Sequence, residues 1–210
     1  MVPRNNTAFS LLELLIVVGV ISLLTVVSVP AISGLSQSRN LTNGGNMVIS
    51  LAQQARQNSI AKNSLTALVL ATQVSDTGFN LKLFCLMELA PGASQWTALS
   101  PWQILPTGVA VDSTQSGAFF NSPGVTPALQ NPRFQGKDVS TVVYQIFSPD
   151  GSLYVGANGQ PAIPPLVKLV PGIIAANGAL QYTGAGGSSP DNYYEISLNL
   201  YTGVPQVQRQ

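Results

Sequence analysis

The chain has 210 residues, which is enough for one compact domain plus an anchoring segment, or for two very small domains. Charged residues make up 8% of the sequence and the formal net charge is +1, so the composition carries no electrostatic footprint for nucleic acid. Histidine is absent and Cys85 is the sole cysteine, which excludes histidine-dependent catalytic pairs, an intrachain disulfide and zinc sites built on paired cysteines.

The first element in chain order is a long apolar run, residues 11–29, preceded by a short polar stretch in which Arg4 is the only charge. As a helix, residues 9–30 would span roughly 32 Å, about the thickness of a membrane's hydrocarbon core. We therefore predict a transmembrane helix. Arg4 would place the N-terminus in the cytoplasm and the chain beyond Pro30 outside.

Two other interpretations of this run remain open. It could be a buried core helix, although core helices rarely stay apolar over such a length. It could also be a secretory signal peptide, because Ala31-Ile32-Ser33 offers small residues for cleavage before Gly34. The apolar run is longer than the usual core of a signal peptide, which favours the anchor.

Small residues recur every third position within the run, at Gly19, Ser22, Thr25 and Ser28. Such a line allows neighbouring helices to approach closely in lipid, and chance enrichment of small residues is the alternative.

The helical pattern continues beyond Pro30 but becomes amphipathic over residues 31–63. Since the periodicity resumes after the proline, Pro30 is predicted to bend the helix rather than to end it. Gly44-Gly45 is predicted to be a second weak point, because each glycine costs about 1 kcal/mol relative to alanine. The sequence thus predicts one long, bent helix from about Phe9 to Asn63.

From Ser64 onward the pattern changes to strands separated by turn residues. The stretches 112–137 and 184–190 read as a long loop and a flexible segment. The predicted strands are residues 65–71, 79–89, 95–105, 139–147, 153–156, 166–170, 193–200 and 204–208. The expected fold class is α+β, with the outer half of the helix packed on an antiparallel sheet.

Glu13 is the one acid in the apolar run. It could complete a capping box with Ser10 at the start of the helix. If it lies in hydrocarbon instead, insertion costs about 2.5–3.5 kcal/mol and a charge partner is expected. Cleavage before Phe9 would create an α-amino group four residues away, in the same chain or in a neighbouring one, with which Glu13 could pair.

The run Ala8-Phe9 through Glu13 and the following Leu-Leu-Ile-Val-Val resembles the class III signal of type IV pilins and type II secretion pseudopilins. The resemblance implies cleavage between Ala8 and Phe9 by prepilin peptidase and N-methylation of Phe9. It further implies a subunit-assembly role for Glu13 and a helix-bending role for Pro30. One departure is Ala8, since the family normally has glycine before the cut.

Three further stretches occur in the order found in the minor-pseudopilin H / FimT-type domain. Each is a strand that ends in a tight turn. They are residues 102–109, 146–151 and 196–204.

The resemblance implies a pilin-like fold made of a leader (residues 1–8), a transmembrane half-helix (9–30), an amphipathic half-helix (31–63) and an extracytoplasmic β domain (64–210). The implied function is that of a non-enzymatic filament subunit in a type II secretion pseudopilus or type IV pilus, used as a minor or initiating subunit. The expected location is the inner membrane and then the filament. Expected partners are prepilin peptidase, other pilin or pseudopilin subunits, the inner-membrane assembly platform and, before assembly, membrane lipid.

No cofactor, metal or nucleic acid is expected. Asp76 and Asp112 lack the clustered pattern of a calcium loop, Glu88 and Glu195 are expected to be separate strand-face charges, and Cys85 is expected to be a small buried residue. Trp96 and Trp102 are expected to pack against strands. The alternative function is an exported soluble β-domain binding protein, released by signal peptidase near Gly34.

Overall fold

A computed structural model describes residues 11–116, 119, 133–154, 164–183 and 190–209, with only the backbone described at residues 26–35. By its internal contacts the chain divides into two compact units, Met1–Ser38 and Arg39–Gln210. The predicted cleavage site at Ala8 and Phe9 lies outside the described residues.

One helix, α1 (Leu11–Lys62), accounts for the first 52 described residues. Its end agrees with the predicted one, because Asn63 has a positive φ of 49° and stops the helix in the left-handed conformation. The Asn63 N–H donates to the carbonyl of Ile60, and the Ser64 N–H donates to that of Ser59 at 3.1 Å. This is a Schellman motif, and it turns the chain directly into the first strand.

The described strands form two antiparallel sheets, so the predicted α+β class is confirmed. The first sheet has the order β3-β2-β1-β7-β6 with β4 paired to β2, and the second has the order β11-β10-β8-β5 with β9 paired to β8. The strands are β1 (Leu65–Val74), β2 (Leu83–Leu89), β3 (Thr97–Ala98), β4 (Gln103–Ile104), β5 (Val109–Val111), β6 (Arg133–Phe134), β7 (Lys137–Phe147), β8 (Leu166–Ile174), β9 (Leu180–Tyr182), β10 (Tyr194–Leu198) and β11 (Pro205–Arg209).

Several strand predictions were wrong in detail. The predicted strand 79–89 begins only at Leu83, because Asp76 caps a short 3₁₀ turn at Thr77–Phe79. The predicted strand 95–105 is two short pieces, and 153–156 is reduced to a single bridge at Leu153 among its described residues.

Three strands were missed, and three (β1, β7 and β8) were predicted too short, β8 by the most residues. β5 and β9 were absent from the prediction, and β6 lies within the stretch 112–137 that was read as a loop. β8 runs on through Pro171-Gly172, which resembles a turn in sequence. Here Pro171 lies opposite Val109 at a ladder position, and the Gly172 N–H donates to the carbonyl of Gly108.

The main core of the second unit lies between α1 and both sheets. Helix residues Leu41, Val48, Leu51, Ala52 and Ala55 are fully buried there. Alternate residues of β1 and β2 point into this core, and the intervening residues point to the opposite face of the first sheet. That opposite face carries a second apolar cluster, so the first sheet is covered on both sides.

Gly44 and Gly45 do not interrupt the helix, and the local weakness that the sequence predicts there stays a prediction. Both lie inside the continuous helix. At Gly45 a Cβ atom would collide with the ring of Tyr194, whereas at Gly44 it would make ordinary contacts of 3.4 Å with Leu105 and Val109. Glycine at position 45 therefore lets the helix approach β10 closely.

These two positions provide a matched test of close packing. We expect Gly45→Ala to lower the free energy of unfolding by about 1–2 kcal/mol, because the collision with the buried Tyr194 ring outweighs the gain in helix propensity. Gly44→Ala should be neutral or stabilise by up to about 1 kcal/mol. Urea denaturation of the full chain in mild detergent, followed by tryptophan emission, measures both values. Equal effects of the two substitutions would contradict the packing argument.

An ion pair fastens the end of α1 to β2. The Lys62 Nζ lies 2.8 Å from the Glu88 Oε2, and the Ser64 hydroxyl donates to the Glu88 Oε1 at 2.9 Å. The side chain of Glu88 is 12% exposed. The Lys62 hydrogen bond holds the pKa of the Glu88 carboxyl below its usual value of 4.5. The helix end is therefore held both by its backbone turn and by a charge pair.

This ion pair makes a pH-dependent contribution to stability. Because the folded-state pKa of Glu88 is lowered, the contribution is present above pH 4.5 and is lost as the pH falls through the folded-state pKa. We expect Glu88→Gln to cost about 0.5–1 kcal/mol at pH 7 and less at pH 3, measured by urea denaturation. Glu195→Gln on β10 is the control for losing one carboxylate. A cost that is the same at both pH values would argue against the ion pair.

Candidate functional site

The most unusual surface of the described chain is the apolar segment, residues 11–25 of α1. Every large apolar side chain in it is exposed, from 51% for Val17 to 87% for Leu11. The segment makes about four turns, so these side chains point in all directions around the helix. This arrangement contradicts the interpretation as a buried core helix within this chain.

Exposed apolar surface of this extent marks an interaction site. Full burial of each leucine, isoleucine or valine side chain is worth about 1.5–3 kcal/mol, so a surrounding of lipid or of other apolar helices would stabilise the segment strongly. Among the described residues, no helix meets the length and apolarity needed to cross a membrane.

The two hydroxyl groups within the apolar segment donate hydrogen bonds to carbonyl groups of the helix itself. The Ser22 hydroxyl donates to the carbonyl of Val18 at 2.8 Å, and the Thr25 hydroxyl donates to that of Ile21 at 2.8 Å. A Cβ atom added to Gly19 would meet no atom within 4 Å. Since the hydroxyls fold back onto the backbone, this side of the helix can enter apolar surroundings without leaving a donor unpaired.

Glu13 lies in the first turn of α1 and is exposed. A carboxylate is favoured at this end of a helix, because the backbone N–H groups and the helix dipole present positive charge there. The predicted capping partner Ser10, like Ala8 and Phe9, lies outside the described residues. The backbone is helical at Pro30, as predicted, and the bend expected there stays a prediction.

Asp76 and Asp112 both accept hydrogen bonds that hold local structure. Asp76 accepts the Gly78 N–H at the start of the 3₁₀ turn. Asp112 is fully buried and accepts bonds from the Thr114 backbone and hydroxyl and from the Tyr182 hydroxyl at 2.9 Å. No cluster of metal-ligating side chains occurs among the residues that the structure describes. Asp112 thus links its loop to β9. The sequence could not predict this role, because Tyr182 is distant from Asp112 in the chain.

Glu88 and Glu195 are not brought together. They lie on strands of different sheets, β2 and β10. Cys85 is buried as expected, and its burial raises the pKa of the thiol to about 12. Such a thiol is protonated at neutral pH and is unreactive. Neither feature provides a catalytic group.

No protein-family model and no curated protein matches the sequence. One solved structure found to be similar is the minor pseudopilin EpsH from the Type 2 Secretion System of Vibrio cholerae. The alignment covers 81% of this chain and 96% of that chain, with 8% sequence identity and a TM-score of 0.44. EpsH is a pseudopilin, the class that residues 8–18 of this chain resemble.

Proposed function

We propose that the chain is a non-enzymatic subunit of a pilin- or pseudopilin-type filament, anchored in the inner membrane before assembly. The observation that carries this proposal is the apolar segment, whose large side chains are exposed on every side of the helix. Water is an unfavourable surrounding for such a helix. Lipid, and then the helices of neighbouring subunits, are surroundings that suit it.

The position of Glu13 supports the same proposal. It stands one turn into the helix, four residues after the proposed new N-terminus at Phe9. A carboxylate in hydrocarbon is costly, and an α-amino group created by cleavage between Ala8 and Phe9 would neutralise its charge. Between subunits this pairing would set the register of one helix against the next, which is the assembly role that we propose for Glu13.

The second unit would form the outer surface of the filament. Its part of α1 is buried against the two sheets, so it folds around the helix without needing the apolar segment for its core. The order of the three strand-turn stretches, residues 102–109, 146–151 and 196–204, supports a minor, initiating subunit rather than the bulk subunit. Type II secretion and type IV pilus systems are both compatible with these residues.

An exported binding protein released by signal peptidase is the second candidate function. Its support is the row of small residues Ala31-Ile32-Ser33 before Gly34. The backbone is helical without a break from Leu11 to Lys62, so the peptidase would have to cut inside a continuous helix. Fractionation of cells separates the two candidates, because the filament subunit fractionates with membranes before assembly and the released domain does not.

The first prediction concerns the mature N-terminus. Intact-mass and N-terminal peptide mass spectrometry of protein from cells with prepilin peptidase should find a chain that begins at methylated Phe9. Deletion of the peptidase is the control and should leave the leader attached. A mature chain that begins at Gly34 would overturn the filament proposal in favour of the exported protein.

The second prediction concerns Glu13. Glu13→Leu and Glu13→Gln should insert into membranes normally but reduce incorporation into filaments at least tenfold, because the amine of the neighbouring subunit loses its partner. Glu195→Gln, which removes a carboxylate from the β domain, should assemble normally. Quantitative immunoblots of membrane and sheared-filament fractions measure the ratio. Unchanged incorporation of both Glu13 variants would leave this residue only its role at the helix start.

A further inference from the structure

A pocket of about 360 Å³ opens on the face of the first sheet that is turned away from the main core. Its size falls within the range of about 300–1,000 Å³ that is usual for ligand sites. The pocket lies within the second unit and involves neither the apolar segment nor Glu13. Its lining combines two indole rings and two sulfur-bearing side chains with hydroxyl, amide and guanidinium groups, so apolar and polar groups contribute in comparable measure.

The apolar part of the lining is held in place by the sheet beneath it. Cys85 and Met87 of β2 lie in the second apolar cluster together with Trp96, which is only 6% exposed. Trp102 is half-buried, packs against the same cluster and also lines the pocket. A ligand would therefore meet aromatic surface that is already in position, against which its C–H groups can pack.

The polar part of the lining includes two hydroxyl groups with bonding capacity left. The Ser100 hydroxyl oxygen accepts the Leu86 N–H at 2.9 Å, and no acceptor for its own hydrogen is found among the described residues. The Thr97 hydroxyl donates to the Glu88 carbonyl at 3.4 Å, which leaves its oxygen able to accept. The pocket thus offers a ligand both a donor and an acceptor, and neither of them is charged.

The described lining of the pocket has no uncompensated charge. Arg133 is the one charged residue in it, and its Nε donates to the Asp138 Oδ1 at 2.8 Å. A carboxylate therefore already balances the guanidinium, while its terminal N–H groups can still donate to neutral oxygen atoms. The Cys85 thiol is neutral as well, because burial raises its pKa to about 12. An ionised ligand would gain little here, so the charges favour a neutral one.

We propose that this pocket binds a neutral sugar of the glucopyranose type. In the chair form of a β-glucopyranoside every substituent is equatorial, so both faces of the ring carry only C–H groups and the rim carries hydroxyl groups. One face would pack against Trp102, and the rim would exchange hydrogen bonds with Ser100 and Thr97. A purely apolar ligand would instead leave these hydroxyl groups unpaired. The proposal concerns the β domain and holds whether or not the chain assembles into filaments.

The test uses the full chain in a polyoxyethylene detergent, because detergents with glucose or maltose headgroups would compete for the proposed site. The probe is methyl β-D-glucopyranoside, followed by saturation-transfer difference NMR and by tryptophan emission. We expect saturable binding of one sugar per chain, with saturation transfer at least twofold stronger to the ring protons of one face than to those of the other. No saturable binding up to tens of millimolar sugar would overturn the proposal, and equal transfer to both faces would overturn the packing on an indole.

Related compounds separate a sugar from other kinds of ligand. Sorbitol carries similar hydroxyl groups on an open chain without ring faces, and it should bind at least tenfold more weakly. Methyl β-D-glucuronide adds a carboxylate and should bind no more tightly than the glucoside. Tighter binding of the glucuronide would overturn the neutral ligand, and saturable binding of phenol without binding of the glucoside would overturn the sugar in favour of an aromatic compound.

Variants of the protein locate the contacts. Ala98→Phe places a ring at an exposed position of the lining and should weaken binding at least tenfold by obstructing the pocket. Trp102→Leu keeps an apolar side chain but removes the indole, and it should weaken binding to a similar extent. Circular dichroism checks that each variant is folded. Unchanged binding by Ala98→Phe would overturn the site, and unchanged binding by Trp102→Leu would overturn the role of the indole.

A matched pair of threonines tests the hydrogen bonds. Thr97→Val removes one hydroxyl group at nearly constant shape and should weaken binding several-fold. Thr141→Val makes the same change at an exposed position of β7 outside the pocket and should leave binding unchanged. Equal affinities of these two variants for the glucoside would overturn the contact with Thr97.

Discussion

Apolar surface must be kept from water, and the rest of the structure depends on this constraint. The two parts of the single helix α1 differ in how they meet it. Over residues 39–62 the helix buries one face against the chain's own sheets. Over residues 11–25 its apolar side chains are exposed on all sides, and the proposed cover for them is lipid or a neighbouring helix. Folding of the chain therefore removes water from the apolar side chains in the second part of the helix, whereas folding alone does not do so in the first part.

The helix and the fold class could be predicted from the sequence because their signals are local. Apolar periodicity specified the helix, and its end at Asn63 followed from the change to a strand pattern at Ser64. The strand errors arose where long-range pairing overrides local turn signals. Pro171-Gly172 sits within a strand because β5 and β9 pair with β8 there, and no local pattern reveals such partners.

A pocket on the outer face of the first sheet, lined in part by Trp96, Trp102 and Arg133, could not be predicted from the sequence for a similar reason. The expectation that Trp96 and Trp102 pack against strands is correct for their rings, since both contact the second apolar cluster. The space beside them depends on Arg133, which is distant in sequence and reaches the pocket only because β6 pairs with β7. Likewise, the sequence could not show that Gly45 allows a close approach, because the ring it meets belongs to Tyr194, almost the whole β domain later in the chain.

The direct turn from α1 into β1 has a mechanical consequence. Only Asn63 and Ser64 separate the helix from the central strand of the first sheet, so no long linker lies between them. Tension applied to the helix would therefore reach β1 through the backbone and, at the same time, load the contacts that Leu41, Val48 and Leu51 make in the main core. Bonds loaded together share the load, whereas bonds peeled apart fail one after another. The β domain would therefore receive a pull on its helix through several contacts at once.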